Sequence, residues 1–151
     1  PASIPVNIAA EKVVNEPVTI GGENYSITCV NIGNPHCVVF VNNVDNVDVE
    51  DVGPKFEHSE LFPERTNTEF VKVISPKTLK MRVWERGNGE TRACGTGACA
   101  AVVAAVENGY CDKDAEITVK VIGGELKVKY TGTAVTMTGD VAEIFEGTIV
   151  V

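Results

Sequence analysis

Hydrophobic and polar positions alternate with a period of two over much of the chain. Leu79, Met81 and Val83 are interleaved with Lys80 and Arg82, and Ile117, Val119 and Val121 with Thr118 and Lys120, the pattern of strands with one buried face. Further runs rich in Val, Ile, Thr and aromatic residues predict strands over 17–20, 25–31, 36–41, 68–74, 78–85, 115–122, 125–130, 133–138 and 142–151, after a strand-like start at 3–9. Gly21-Gly22 and Gly123-Gly124 each lie between two such runs. Glycine accepts the positive φ of a two-residue hairpin turn, so both pairs predict one.

Two stretches break the alternation. Residues 48–61 open with capping-type acids and carry charges on one side, which predicts a short surface helix broken near Gly53-Pro54. Residues 98–106 are nine consecutive apolar positions, closed by Glu107, Asn108 and Gly109, a helix stop. A helix apolar all round must be buried all round. It is too short to cross a bilayer, so strands must supply its cover. The expected class is α+β: a strongly curled, mostly antiparallel sheet wrapped around a central buried helix, with the short surface helix outside it.

The length of 151 residues suits a single domain, 1–151, and no linker or low-complexity stretch divides it. Thirteen basic against twenty-one acidic residues give a net charge of −8, which argues against nucleic acid and anionic membrane surfaces as partners. Five cysteines, odd in number, without a CxxC pair or a secretory signal pattern, point to a reducing, cytoplasmic setting. The chain opens on Pro1 and reads as if it began mid-protein, so processing or truncation is expected.

Candidate chemistry lies in four clusters. Cys94-Gly95-Thr96-Gly97 immediately precedes the apolar helix, where unpaired N–H groups and the positive end of the dipole favour an anion and would lower a thiol's pKa. Glu85-Arg86-Gly87 ends a strand with a carboxylate and a guanidinium. Gly33-Asn34-Pro35-His36 and Arg65-Thr66-Asn67 are loop-like polar clusters beside strands. Each has a plain structural explanation as well: a buried cysteine, an ion pair, an Asn turn cap, a hydrogen-bonded His. His58, in a charged stretch, takes no role. The histidines lie 22 residues apart and the cysteines lack finger-like spacing, so no metal site is expected. Neither GxxxxGK[ST] nor GxGxxG occurs.

Taken together and in this order, the four clusters closely resemble the C-terminal half of the diaminopimelate epimerase family. The resemblance implies two similar domains, each a curled sheet around a central helix, with the active site in the cleft between them and the N-terminal domain missing here. It implies interconversion of LL- and meso-diaminopimelate, in lysine and peptidoglycan precursor biosynthesis, by two cysteines and without pyridoxal phosphate or metal. On this resemblance Cys94 is one of the two bases. Gly95 and Thr96 offer the helix N-terminus to the reacting carboxylate. Asn34, Asn67 and Arg86 hold the distal end of the substrate, and Glu85 contacts the substrate and, with His36, sets the thiol pKa values. The partner cysteine belongs to the absent half, and none of Cys29, Cys37, Cys99 and Cys111 sits in a second motif of this kind. The expectation is a fragment that folds, does not epimerise alone, and exposes an apolar cleft face that favours self-association, a homodimer included. Other readings are a cofactor-independent racemase of another amino acid, a cysteine hydrolase using Cys94 and His36, and a non-catalytic binding or assembly domain.

Overall fold

The computed structural model describes residues 4–143 and 145–149. One sheet carries the strands β1 (Glu16–Ile20), β2 (Glu23–Asn31), β3 (Pro35–Phe40), β4 (Asn67–Ser75), β5 (Thr78–Glu85), β6 (Gly89–Thr91), β7 (Glu116–Val121), β8 (Gly124–Tyr130) and β9 (Val135–Thr138). Two helices, α1 (Val49–Glu57) and α2 (Gly95–Glu107), and a 3-10 turn, Val44–Asn46, complete the regular structure of the described residues. The strand order is β1-β2-β3-β4-β5-β7-β8-β9, with β6 on the end of β5. All neighbours are antiparallel except β3/β4 and β5/β7, so the chain is a mixed α+β fold dominated by sheet.

The alternation read from the sequence divides the core in two. Val38, Val71, Leu79, Met81, Val83, Ile117, Val119 and Val128 point to one face and pack with α2. Ile27, Cys29, Cys37, Val39 and Phe70 point to the other and pack with Val44, Val49 and Phe56. The α2 residues 97–105 are all buried, as an apolar surface requires. That helix touches β2, β3, β4, β5, β7, β8 and β9. On the opposite face the Phe56 ring meets Phe70 and Tyr25 edge-on, with centroids 5.7 and 4.9 Å away.

Several expectations are corrected. The sheet is open rather than strongly curled: β1 and β9 stand at its two ends. The first helix is not broken at Gly53-Pro54 but runs through Pro54 to Glu57. The carbonyl deprived of its donor by Pro54 is that of Glu50, an exposed residue that water can reach. Nor is α1 purely a surface helix, for Val49, Gly53, Phe56 and Glu57 are buried. The second hairpin turn is Ile122-Gly123, one residue earlier than expected, whereas Gly21 and Gly22 both have positive φ as expected. The short β6 was not anticipated. The predicted strand 142–151 has no regular structure in its described part; residues 144, 150 and 151 of it lie outside the described residues, as does residue 3 of the predicted start, and 4–9 form no strand. No described helix is long and apolar enough to cross a membrane.

Candidate active site

The parallel pairing of β3 and β4 sets His36 opposite Asn67, and antiparallel β5 returns so that Trp84 faces Thr68. The starts of β3 and β4 and the end of β5 therefore share one edge of the sheet. The N-terminus of α2 meets that edge, which brings the four sequence clusters together.

Cys94 is the N-cap of α2, and its sulfur accepts a hydrogen bond from the Gly97 N–H at 3.3 Å. This lets the helix begin at Gly95, three residues before the apolar run. The Thr96 hydroxyl lies 3.6 Å from the sulfur, and the Asn34 amide donates to that hydroxyl at 3.4 Å. Asn34 Oδ1 is 2.9 Å from His36 Nε2, and His36 Nδ1 is 2.7 Å from Glu69 Oε1. A continuous polar chain thus runs from a buried carboxyl to a half-buried thiol.

Glu69 went unnoticed in the sequence. Its parity in β4 matches Val71, so it points to the α2 face, and both it and His36 are fully buried. Burial pushes its carboxyl pKa up, His36 opposes this, and Glu85 adds to it. A lone acid inside the buried run 67–71 was the available signal. Glu57 was missed as well. Buried at the end of α1, it accepts from Trp84 Nε1 at 2.6 Å, the Gly87 N–H at 3.0 Å and Arg65 Nη1 at 3.2 Å, and so anchors the loop that carries Arg86.

The remaining predicted residues lie close by. Glu85 accepts from the Thr91 hydroxyl at 2.6 Å. Asn67 is committed to the protein itself: its Nδ2 donates to the Pro35 carbonyl at 2.8 Å and its Oδ1 accepts from the Arg86 N–H at 3.0 Å. The Arg86 guanidinium donates to the Glu64 carbonyl at 2.9 Å. His58 is exposed.

The expected depression of the Cys94 pKa is reversed. Burial pushes this thiol up, the hydrogen bonds from Thr96 and Gly97 pull it down, and the negative charge of Glu85 raises it further. Helix-terminal donors are present as the sequence implied, but desolvation of the charged form outweighs them.

The chain matches a family model described as diaminopimelate epimerase over residues 28–144. It is 53% identical over 143 residues to the diaminopimelate epimerase of a Cyanothece species, covering 93% of this chain and 50% of that protein. With the diaminopimelate epimerase of Acetivibrio thermocellus it shares 52% identity over 151 residues, covering 99% of this chain and 53% of that protein. It thus spans about half the length of the curated relatives it matches. A crystal structure of the Bacillus anthracis phenazine biosynthesis protein of the PhzF family superposes with a TM-score of 0.50 at 21% identity, covering 75% of this chain and 36% of that one, a likeness of fold alone. On the match of the family model to most of its length, this chain belongs to the diaminopimelate epimerase family.

Proposed function

We propose that this chain, as one domain, is the C-terminal half of a diaminopimelate epimerase that works in the cytoplasm, where five free thiols stay reduced. The observation that carries the reading is the Cys94 sulfur on the N-cap of a buried helix, in contact with Thr96 and the Gly97 N–H. Cys94 exchanges the α-proton on one face of the substrate, and a cysteine of the N-terminal half serves the other face. As the α-proton leaves, charge builds on the adjoining carboxylate. The α2 N-terminus at Gly95 and Thr96 stabilises it, because the first N–H groups of a helix have no acceptor within the helix. One thiolate takes the α-proton as the thiol on the opposite face delivers its own proton to the α-carbon, and this exchange asks for no pyridoxal phosphate and no metal.

Asn34, Asn67 and Arg86 hold the distal, unreacting end of diaminopimelate. Asn67 does so partly at one remove, since its amide fixes the backbone at Arg86. Glu85, within electrostatic reach of Cys94, contacts the substrate, and His36 acts on the thiol through Asn34 and Thr96. Inversion requires both faces of the α-carbon to be served, so the isolated half does not turn over. Its uncovered cleft face favours self-association, and a homodimer is the simplest form.

The experiment is incubation with diaminopimelate in D2O, following α-deuterium and stereochemistry, for the chain alone and mixed with its N-terminal half. No inversion alone and inversion on mixing are expected. Inversion by the monomeric chain would sink the half-site reading, and no exchange after reconstitution would sink the assignment of Cys94.

A further inference from the structure

Glu69 is a buried acid with no part in the reading above, and the hydrogen bonds around it allow its protons to be counted. Asn34 directs Nδ2 at Thr96 and Oδ1 at His36 Nε2. An amide oxygen only accepts, so Nε2 must carry a proton. The 2.7 Å contact between Nδ1 and Glu69 Oε1 needs a second proton, because two lone pairs at that distance repel. Ring and carboxyl together then hold two protons and carry no net charge, whichever atom bears the second.

The alternative, one proton on the pair, is net negative. It would place that charge where neither side chain is exposed and where Glu69 Oε2 has no hydrogen-bond partner among the described residues, an arrangement that burial penalises. It would also make Nε2 an acceptor. The Asn34 amide would then have to turn round, and the Thr96 hydroxyl would donate to its oxygen instead of to the Cys94 sulfur. The ionisable groups that bear on Glu69 are His36 and Cys37 on β3, Glu85 at the end of β5, and Cys94 at the start of α2.

We propose that Glu69 is a positioning residue: by keeping two protons on the Glu69–His36 pair it fixes His36 as an Nε2–H donor, so that donation runs from His36 to Asn34, from Asn34 to Thr96, and from Thr96 to the Cys94 sulfur. A hydroxyl donating to sulfur favours the thiolate over the thiol. The catalytic meaning rests on Cys94 being the reacting thiol, whereas the proton count stands without it.

Nitrogen-15 NMR of His36 in the full 151-residue chain, with alkylation of Cys94 followed by peptide mapping, tests this. At pH 7 the wild type should show a proton on Nε2. Glu69→Gln should keep it, since the amide N–H of Gln can donate to Nδ1 and the pair stays neutral. Glu69→Leu should give mixed tautomers and slow Cys94 alkylation by about threefold or more, half a pKa unit. A wild-type His36 protonated on Nδ1 alone would overturn the proposal, as would a folded Glu69→Leu with unchanged tautomer and alkylation. Should Glu69→Leu not fold, the wild-type and Gln spectra still decide. Neither readout needs turnover, so failure of the epimerase assignment would leave this result standing.

Discussion

Gly97 and Glu69 approach so closely that no side chain fits between them: a Cβ on Gly97 would lie 2.8 Å from Glu69 Oε1 and 3.2 Å from the Cys94 sulfur. Glu69 is fully buried and tied to His36, so it cannot swing aside. Gly97→Ala should therefore destabilise the chain by about 1–3 kcal/mol, the usual cost of overpacking a closed site. Gly95→Ala is the control. Its Cβ would meet only the end of the half-exposed Met137 side chain, at 3.1 Å, and should cost much less. Urea denaturation of both variants checks the contrast, and equal losses would refute it.

The long strands were legible because each had to present an apolar face, and parity along Leu79, Met81 and Val83 announced which; β6, Gly89-Glu90-Thr91, has no such face and was not. The buried helix was legible for the complementary reason, that nine apolar residues in a row leave no face for water. What escaped was whatever depends on a partner distant in sequence. Glu69 reads as an ordinary strand acid until His36, 33 residues away, is set beside it. Glu57 reads as a surface charge until Trp84 and Gly87 meet it. The Cys94 pKa has the opposite sign from expectation because helix position is written in the sequence and desolvation is not.

Helix α1 holds the loop after β5 through Glu57 and through the contact of Gly53 with Trp84. A Cβ on Gly53 would fall 2.4 Å from the indole, so Gly53→Ala must push the helix off the sheet. Glu57→Ala would leave the Trp84 indole N–H without its acceptor and would release the exposed Gly87 N–H to water, and should cost about 1–3 kcal/mol, the penalty of one donor left unsatisfied. Thermal and urea unfolding measure the loss. For the proposed epimerase, reconstituted from both halves, the same change should raise KM more than it lowers kcat, because it loosens Arg86 and leaves Cys94 in place.

Only the thiolate of Cys94 reacts with an alkylating agent, and burial pushes that thiol above its ordinary value. Its alkylation at pH 7 should accordingly be slower than that of a free thiol and should keep rising through and beyond the ordinary thiol range. Thr96→Val removes a hydrogen bond that favours the thiolate and should slow the reaction at pH 7 by roughly three- to tenfold, half to one pKa unit. Peptide mapping separates Cys94 from Cys29, Cys37, Cys99 and Cys111, all of which are buried. A rate–pH curve that levels off below the ordinary thiol range would contradict the raised value.

The raised pKa of Glu69 also predicts how stability depends on pH. An acid whose pKa is higher folded than unfolded binds more protons in the native state between the two values. Stability is then full below the unfolded carboxylate value, falls as pH rises through the gap, and levels off above the folded value. Glu69→Gln removes the titration. The difference in unfolding free energy between wild type and Glu69→Gln should therefore favour the wild type most at acid pH and shrink as pH rises past the ordinary carboxylate range. Urea titrations at a series of pH values give that difference directly. A wild type that gains on the variant as pH rises would mean that Glu69 is stabilised as a carboxylate, with the salt bridge to His36 outweighing the cost of burying it.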